Sequence, residues 1–395
     1  MKVCGIIAEY DPFHTGHNWQ IKETRRILGP DCAVIAVMSG NWTQRGGPAL
    51  TDKHTRARLA LMGGADLILE LPLPCAISSA EGFARGGVSV LNATGIVTHL
   101  CFGSECGDLS LLQHTARLLD SEEYLAHLHT GLNQGLSFPA AREQAVEQLA
   151  GEDAHCLSLP NNNLGVEYLR ALDRLESGIT PLTIQRKGAG HGQSPDGGYA
   201  SASYLRQEIT SGRWENTSPY LLPEAIKLLQ SSSMSDYQRA ESAILYQLRR
   251  LSPDELAALP DCGEGLSNRL YQAIRTETSL DGILTAVKTK RYPHARLRRV
   301  LLWAFLGMTA KDRMETPPYL RVLGMNDAGR TLLRFMSEQA SLPILTKPAH
   351  VHNLSDEAQS LFDLESRATD LYGFCLPDLS PCGAEWKQNP VILGT

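Results

Sequence analysis

Short apolar runs and amphipathic stretches alternate along the first half of the chain. Residues 3–8, 32–38, 65–72, 96–105 and 180–186 are short and dominantly apolar, as expected of strands buried on both faces of a parallel sheet. Helical patterns lie between them. One starts at Thr15, read as its cap, and continues through Trp19, Ile21 and Leu28. Another starts after Thr51 or Asp52 and stops at Gly63-Gly64; a third covers residues 77–91 and stops at Gly95. Residues 107–158 carry only helical stripes (Leu111, Leu112, Ala116 and Leu119; Ala141, Ala145 and Leu149) and read as an insertion over one side of the sheet. The order predicts an α/β fold, a doubly wound parallel sheet over residues 1–210. After Gly212 strand patterns are not found, and Pro219, Pro223, Pro253 and Pro260 punctuate short helices, so residues 211–395 read as a mainly helical domain. The tail from Asp378 has little pattern and reads as loosely held.

The polar residues that stand out fall where predicted strands end, the place where open α/β sheets bind ligands. The first run leads through Asp11-Pro12, a turn, into His14-Thr15-Gly16-His17. Gly16 lets a phosphate or ring approach the backbone, and each imidazole can donate a hydrogen bond to a phosphate oxygen as charge builds there. The same two histidines could instead be a metal pair or solvated helix residues; no Cys, Asp or Glu stands at a tight ligand spacing beside them. The second run opens into Ser39-Gly40-Asn41-Trp42-Thr43-Gln44-Arg45-Gly46-Gly47-Pro48, a polar loop expected to face the same crevice. Lys53 and Arg56 follow on one helix face, either reaching phosphates or solvated. Gly103 ends the fourth run. Asn161 or Asn162 reads as a helix cap after Pro160, and Glu81, early in its helix, as a capping residue. Arg186 ends the fifth run, and residues 187–199, with five glycines, read as a mobile loop. Ser201 and Ser203, with Arg206 one turn on, could cap a helix or hold an anion.

These segments carry a resemblance. His14-Thr15-Gly16-His17 resembles the His-x-Gly-His signature of the adenylyl-transferring nucleotidyltransferase superfamily. The stretches 5–17, 38–49, 66–72, 101–105, 160–162, 289–299 and 319–324 are similar to those of bacterial tRNA(Met) cytidine acetate ligases. Asn163 stands where that family has an aliphatic residue. The resemblance implies a nucleotidyltransferase-like domain over 1–210 and a tRNA-binding domain over 211–395. It implies activation of acetate by ATP, carried with Mg²⁺, and transfer of the acetyl group to N4 of the wobble cytidine of elongator tRNA(Met). His14 and His17 would be catalytic. ATP would be held by Ile7, Ala8, Glu9, Tyr10, Asp11, Pro12, Phe13, His14, Thr15, Gly16, His17, Gln20, Gly103, Asn162, Arg186, Lys187, Ser201 and Ser203. Another adenylyltransferase acting on a small metabolite is the alternative enzyme; an RNA-binding protein with a degenerate nucleotide fold is the alternative outside catalysis.

Charge adds one feature. The net charge of −6 argues against an indiscriminate nucleic-acid binder. Residues 1–210 carry 16 basic and 22 acidic side chains, and residues 211–395 carry 21 of each. Residues 282–311 hold no acid but seven bases: Lys288, Lys290, Arg291, Arg296, Arg298, Arg299 and Lys311. Lys290, Arg291, Arg296, Arg298 and Arg299 are the expected tRNA-backbone contacts, with Arg296 and Arg299 fully outward and Arg298 partly so. No run of 18 apolar residues and no leader pattern is present, which predicts a cytoplasmic protein without membrane attachment. Nine cysteines without a Cys-x-x-Cys pair read as reduced, packed thiols.

Overall fold

The computed structural model describes residues 1–136, 138–187, 195, 198–263, 265–289 and 291–394. The five apolar runs form β1 (Val3–Ala8), β2 (Ala33–Ser39), β5 (Leu67–Leu71), β6 (His99–Ser104) and β7 (Thr180–Gln185); β3 (Trp42–Thr43) and β4 (Gly47–Pro48) are a small antiparallel hairpin. In the main sheet β5, β2, β1, β6 and β7 lie side by side, all parallel. The chain runs outward from β1 through β2 to β5, then returns to the other side of β1 as β6. The order therefore reverses at β1, and the crevice beyond its C-terminal end is the topological switch point.

The helices pack on both faces, as a right-handed parallel sheet requires. Helices Ala80–Ala93, Leu109–Leu119 and Pro160–Arg174 bury Val88, Leu91, Leu112, Val166 and Leu169 against Ile7, Ile35, Leu69 and Leu100. On the other face, Thr15–Leu28, Lys53–Met62 and Ala202–Thr210 bury Ile21, Leu59 and Leu205 against Ile6, Val34 and Ile68. A third apolar cluster joins the C-terminal helices, among them Glu241–Arg250, Leu266–Thr276, His294–Phe305 and Asp356–Tyr372, and draws in Trp42, Leu73 and Ile77. The insertion is helical as expected, with Glu122–Asn133 and Phe138–Ala150 completing it. Among the described residues no helix is long and apolar enough to cross a membrane, and the cysteines are all free, with only Cys106 and Cys382 not buried.

Three expectations are corrected. Strands do not end at Gly212. β8 (Leu320–Met325) lies antiparallel against β5, with β9 (Ile344–Leu345) and β10 (Val391–Ile392) parallel to it, so the sheet has eight strands among the described residues. The tail is anchored rather than loose: β10 pairs with β8, and Glu385 is buried. Lys53 and Arg56 are neither solvated nor at a phosphate site. Lys53 Nζ donates to Glu70 at 2.7 and 2.8 Å and to Glu385 at 2.9 Å, all three side chains being buried. Arg321 on β8 donates to Glu385 at 3.2 Å. Arg56 donates to the backbone carbonyls of Glu9 (2.6 Å), Ser39 (3.0 Å), Thr51 (3.2 Å) and Gly40.

Removing one member of such a buried ion cluster leaves its partners uncompensated. Lys53→Met should destabilise the fold by about 3–5 kcal/mol in urea titration. Arg58→Ala on the same helix, at an exposed position, should stay within about 0.5 kcal/mol of the parent.

Candidate functional site

The turn after β1 passes through a cis Asp11–Pro12 peptide and Tyr10 at φ 49°, a region costly for a bulky residue. The helix that follows is capped by His14, not by Thr15. His14 Nδ1 accepts from the Gly16 N–H at 3.1 Å, while the His14 N–H donates to His17 Nδ1 at 3.3 Å. This is a reciprocal capping box built from imidazoles, where Ser and Glu usually serve. Thr15 Oγ1 is buried without a partner among the described residues. The two rings stack with centroids 3.8 Å apart, and Tyr10 and Phe13 close around His17 at 4.9 and 5.4 Å. Phe13 is seated against Gly63, where a β-carbon would overlap its ring.

The box fixes the protonation pattern. Each Nδ1 accepts a backbone N–H, so each neutral ring carries its proton on Nε2. Burial is the main cause that pushes His14 down to about 3, helped by the Arg186 charge. Burial, His14 and Arg186 likewise hold His17 well below the usual imidazole range. Both rings are therefore neutral at physiological pH and each offers one N–H.

They border a cavity at the switch point, lined also by Gly16, Trp19, Gln20, Gly103, Ile184, Arg186, Lys187, Tyr199 and Ala200. Of the expected nucleotide contacts, the structure thus brings His14, Gly16, His17, Gln20, Gly103, Arg186 and Lys187 to one place. Gln20 is steadied by the Cys101 carbonyl at 3.4 Å. Lys187 lies over the Trp19 ring at 4.8 Å, and Arg186 donates to Asn161 Oδ1 at 3.1 Å. Gly103 leaves the space that the Arg186 stem crosses. A cavity with two cations and two neutral N–H donors suits a polyphosphate.

The remaining expected residues lie elsewhere. Tyr10 and Phe13 are core rings, and Ile7 packs against Gly87. Ala8, Pro12 and Thr15 do not line the cavity. Glu9, Asp11 and Ser203 line a neighbouring, larger cleft. Ser201 caps the helix Ala202–Thr210 by accepting from the Tyr204 N–H at 3.2 Å. Asn161 and Asn162 are not caps, because the helix Pro160–Arg174 starts after Leu159. Its end is capped by the Glu105 carboxylate, which accepts from the Asn161 and Asn162 N–H groups at 3.2 and 2.8 Å. Asn162 Oδ1 accepts from the Glu105 and Cys106 N–H groups, and its buried Nδ2 has no partner among the described residues. Glu81 pairs with Arg174 at 2.6 Å, in the first turn of a helix that Ser79 caps. Sequence reasoning missed Trp19 and Tyr199, whose rings meet at 6.3 Å beside the cavity. Trp19 lies three residues after Gly16 on the same helix face, a spacing that could have flagged it.

The basic helix also differs from expectation. Arg298 is the exposed one. Arg299 is half-buried and donates to the Gln44 carbonyl at 3.4 Å, and Arg296 donates to the Asp261 carbonyl at 2.9 Å. Arg291 is exposed. Lys290, and most of the glycine-rich loop (188–194 and 196–197), lie outside the described residues. The polar loop after β2 is the β3–β4 hairpin, with Trp42 buried and donating to the Ala368 carbonyl at 3.0 Å.

Because the native state holds His14 below its ordinary 6.5, the unfolded chain binds more protons between pH 6.5 and about 3. Stability should fall as pH falls through that window, by on the order of 1 kcal/mol per pH unit. His14→Asn, which keeps a capping acceptor, should flatten the slope of unfolding free energy against pH; an unchanged slope would place the titration elsewhere.

Comparison with known proteins agrees with this geometry. Residues 1–385 match the HIGH Nucleotidyl Transferase family. The chain is 36% identical to a tRNA(Met) cytidine acetate ligase of Acetivibrio thermocellus, covering all of both chains. It is 37% identical to that of Caldicellulosiruptor saccharolyticus, covering 100% of this chain and 99% of the other. The fold is similar to Thermotoga maritima TmcAL in its apo form (TM-score 0.95, 34% identity) and bound with alpha-thio ATP (TM-score 0.93, 33% identity), each over the full length of both chains. The imidazole pair at the switch point and full-length likeness at this level lead to one conclusion: the chain belongs to the HIGH nucleotidyl transferases and, within them, to the tRNA(Met) cytidine acetate ligase family.

Proposed function

We propose that this protein is an ATP-dependent ligase that activates acetate as acetyl-adenylate and acetylates N4 of the wobble cytidine of elongator tRNA(Met). The observation that carries the reading is the pair of neutral imidazoles, each with a single Nε2–H, bordering one cavity with Arg186 and Lys187. Acetate is a poor acyl donor until its oxygen bears a good leaving group. Attack of the carboxylate on the α-phosphate of ATP forms that P–O bond and expels pyrophosphate. Such an in-line displacement needs positioning and charge stabilisation more than covalent help. His14 and His17 would donate to the phosphates, strengthening as charge develops; Arg186 and Lys187 would supply fixed positive charge. Gly16 would admit the chain of phosphates to the helix N-terminus. Magnesium would bring charge neutralisation to the triphosphate. Its ligands would come from the phosphates more than from the protein.

Residues 1–210 are assigned the nucleotide chemistry and residues 211–395 the tRNA. Arg291 and Arg298, exposed in or beside the acid-free stretch, support the second assignment.

The test is acetate-dependent ATP–pyrophosphate exchange. The parent should exchange with acetate and far less with other carboxylates. His14→Ala and His17→Ala should each lose exchange by 10²-fold or more, the scale of removing a preorganised donor. Exchange that ignores acetate, or survives both substitutions, overturns the reading.

A further inference from the structure

A second, larger cleft adjoins the imidazole site. It measures about 920 Å³, at the upper end of the roughly 300–1,000 Å³ of ordinary small-molecule pockets and enough for a nucleotide. The two cavities share two walls. The turn after β1 places Glu9 and Asp11 in the larger and His14 in the smaller; the start of the helix Ala202–Thr210 places Ser203 and Arg206 in the larger and Ala200 in the smaller.

Polar side chains from both walls line the cleft. Asp11 is engaged: its Oδ1 accepts from the Leu50 N–H at 2.7 Å and its Oδ2 from Arg206 at 3.2 Å. Arg206 also reaches the Asp11 carbonyl and Ser203 Oγ. Glu241, which also lines the cleft, accepts from the Leu280 N–H at 2.8 Å. Glu9 is only half engaged. One carboxylate oxygen, Oε1, accepts from the Gln44 N–H at 2.7 Å; Oε2 accepts from none of the described residues. Arg45, on the β3–β4 hairpin, and Arg298, both exposed, also line it. The Tyr237 hydroxyl is buried in the wall, without a partner among the described residues.

We propose that this cleft receives the acceptor nucleotide of the RNA, with Glu9 Oε2 taking a hydrogen bond and then the proton from the exocyclic amine of a 4-aminopyrimidine, and Arg45 and Arg298 holding flanking phosphates. The proposal rests on the ligase reading above and adds the acceptor site and its base. The amine nitrogen attacks the acyl carbon of the mixed anhydride, forming the C–N bond. The C–O bond to phosphorus breaks and its electron pair leaves with AMP; the amine proton passes to the Glu9 carboxylate, which returns it to solvent. Burial raises the Glu9 carboxyl above its usual range, with the neighbouring Asp11 adding to the shift against the Gln44 N–H, Arg206 and Arg56, and this makes it a better base than an exposed carboxylate. A base must leave its stack to enter such a cleft, and stacking surfaces and rim cations are the usual means of holding it.

The test separates the two half-reactions, using full-length protein, ATP, labelled acetate and tRNA(Met). Glu9→Gln keeps an oxygen for the Gln44 N–H but cannot take a proton. It should lower single-turnover acetyl transfer to tRNA by about 10²-fold, and this fall should exceed its fall in acetate-dependent exchange at least tenfold. Equal losses in both steps, or none in transfer, overturn the role of Glu9. Arg298→Ala, at an exposed position that does not endanger folding, should raise the KM for tRNA several-fold with little change in kcat, and lower the salt slope by about one. An unchanged KM overturns the cleft as the acceptor site. A parent without acetate-dependent exchange overturns the ligase reading itself, and is distinguished because no variant is needed to see it.

Discussion

One buried ammonium holds the two halves of this chain together. Lys53 Nζ sits between Glu70 of β5 and Glu385 near the C-terminus, with Arg321 of β8 completing the set. Such a cluster gains little net stability over an apolar core, because desolvation offsets most of the attraction. Its value is in being costly to assemble wrongly. Slide β8 by one residue and Arg321 leaves Glu385, exposing uncompensated charge in the interior. The neighbouring Glu365, pushed up to about 8 by burial and by Glu70, accepts from the Tyr319 hydroxyl and the Leu73 N–H, so even the carboxyl beyond the core cluster is hydrogen-bonded. β5 would otherwise be an open edge; β8 covers it, fixed in register by charge.

The same helix carries this constraint into the site. Arg56, one turn on from Lys53, gathers the carbonyls of Glu9, Ser39 and Gly40, on the chain ends leaving β1 and β2, and that of Thr51, just before its own helix. A guanidinium supplies five donors in a plane, so it can satisfy several inward-facing carbonyls where water is excluded. The loops at the switch point are therefore held from beneath by the helix that the C-terminal residues pin. Position at the imidazole pair is a product of contacts spread over more than three hundred residues of sequence.

That spread explains what could and could not be read from the sequence. The parallel strands were legible because burial on both faces writes a local signal, an apolar run of the right length. The crevice followed from strand ends and from His14-Thr15-Gly16-His17. β8 was not legible: it follows Pro317-Pro318 among helices, and its one charged residue is explained only by Glu385, 64 positions on. Lys53 and Arg56 have the spacing of a solvated helix face; their partners Glu385 and Glu9 lie 332 and 47 residues away. The orientation of the basic helix was misread for a similar reason, since the β3–β4 hairpin packs onto Arg298 and Arg299 through Gly46 and decides which guanidinium is covered. Thr15 was the better cap by propensity, but His14 took the position because its ring reaches back to the Gly16 N–H.

The use of histidine as a cap is itself informative. Serine, threonine or aspartate would satisfy the same backbone N–H groups, so helix stability alone does not ask for imidazole. Those side chains spend their accepting oxygen on the cap and offer no N–H across from it. Asparagine has both an acceptor and a donor, but on adjacent branches of one amide and without a ring to stack. Imidazole separates them: Nδ1 faces the backbone while Nε2 faces away from it. Stacking His14 on His17 then holds both donors in fixed relation, and burial keeps both neutral, so neither repels the other. The contacts that begin the helix are thus the contacts that aim the donors, and a substitution that disturbs one disturbs the other.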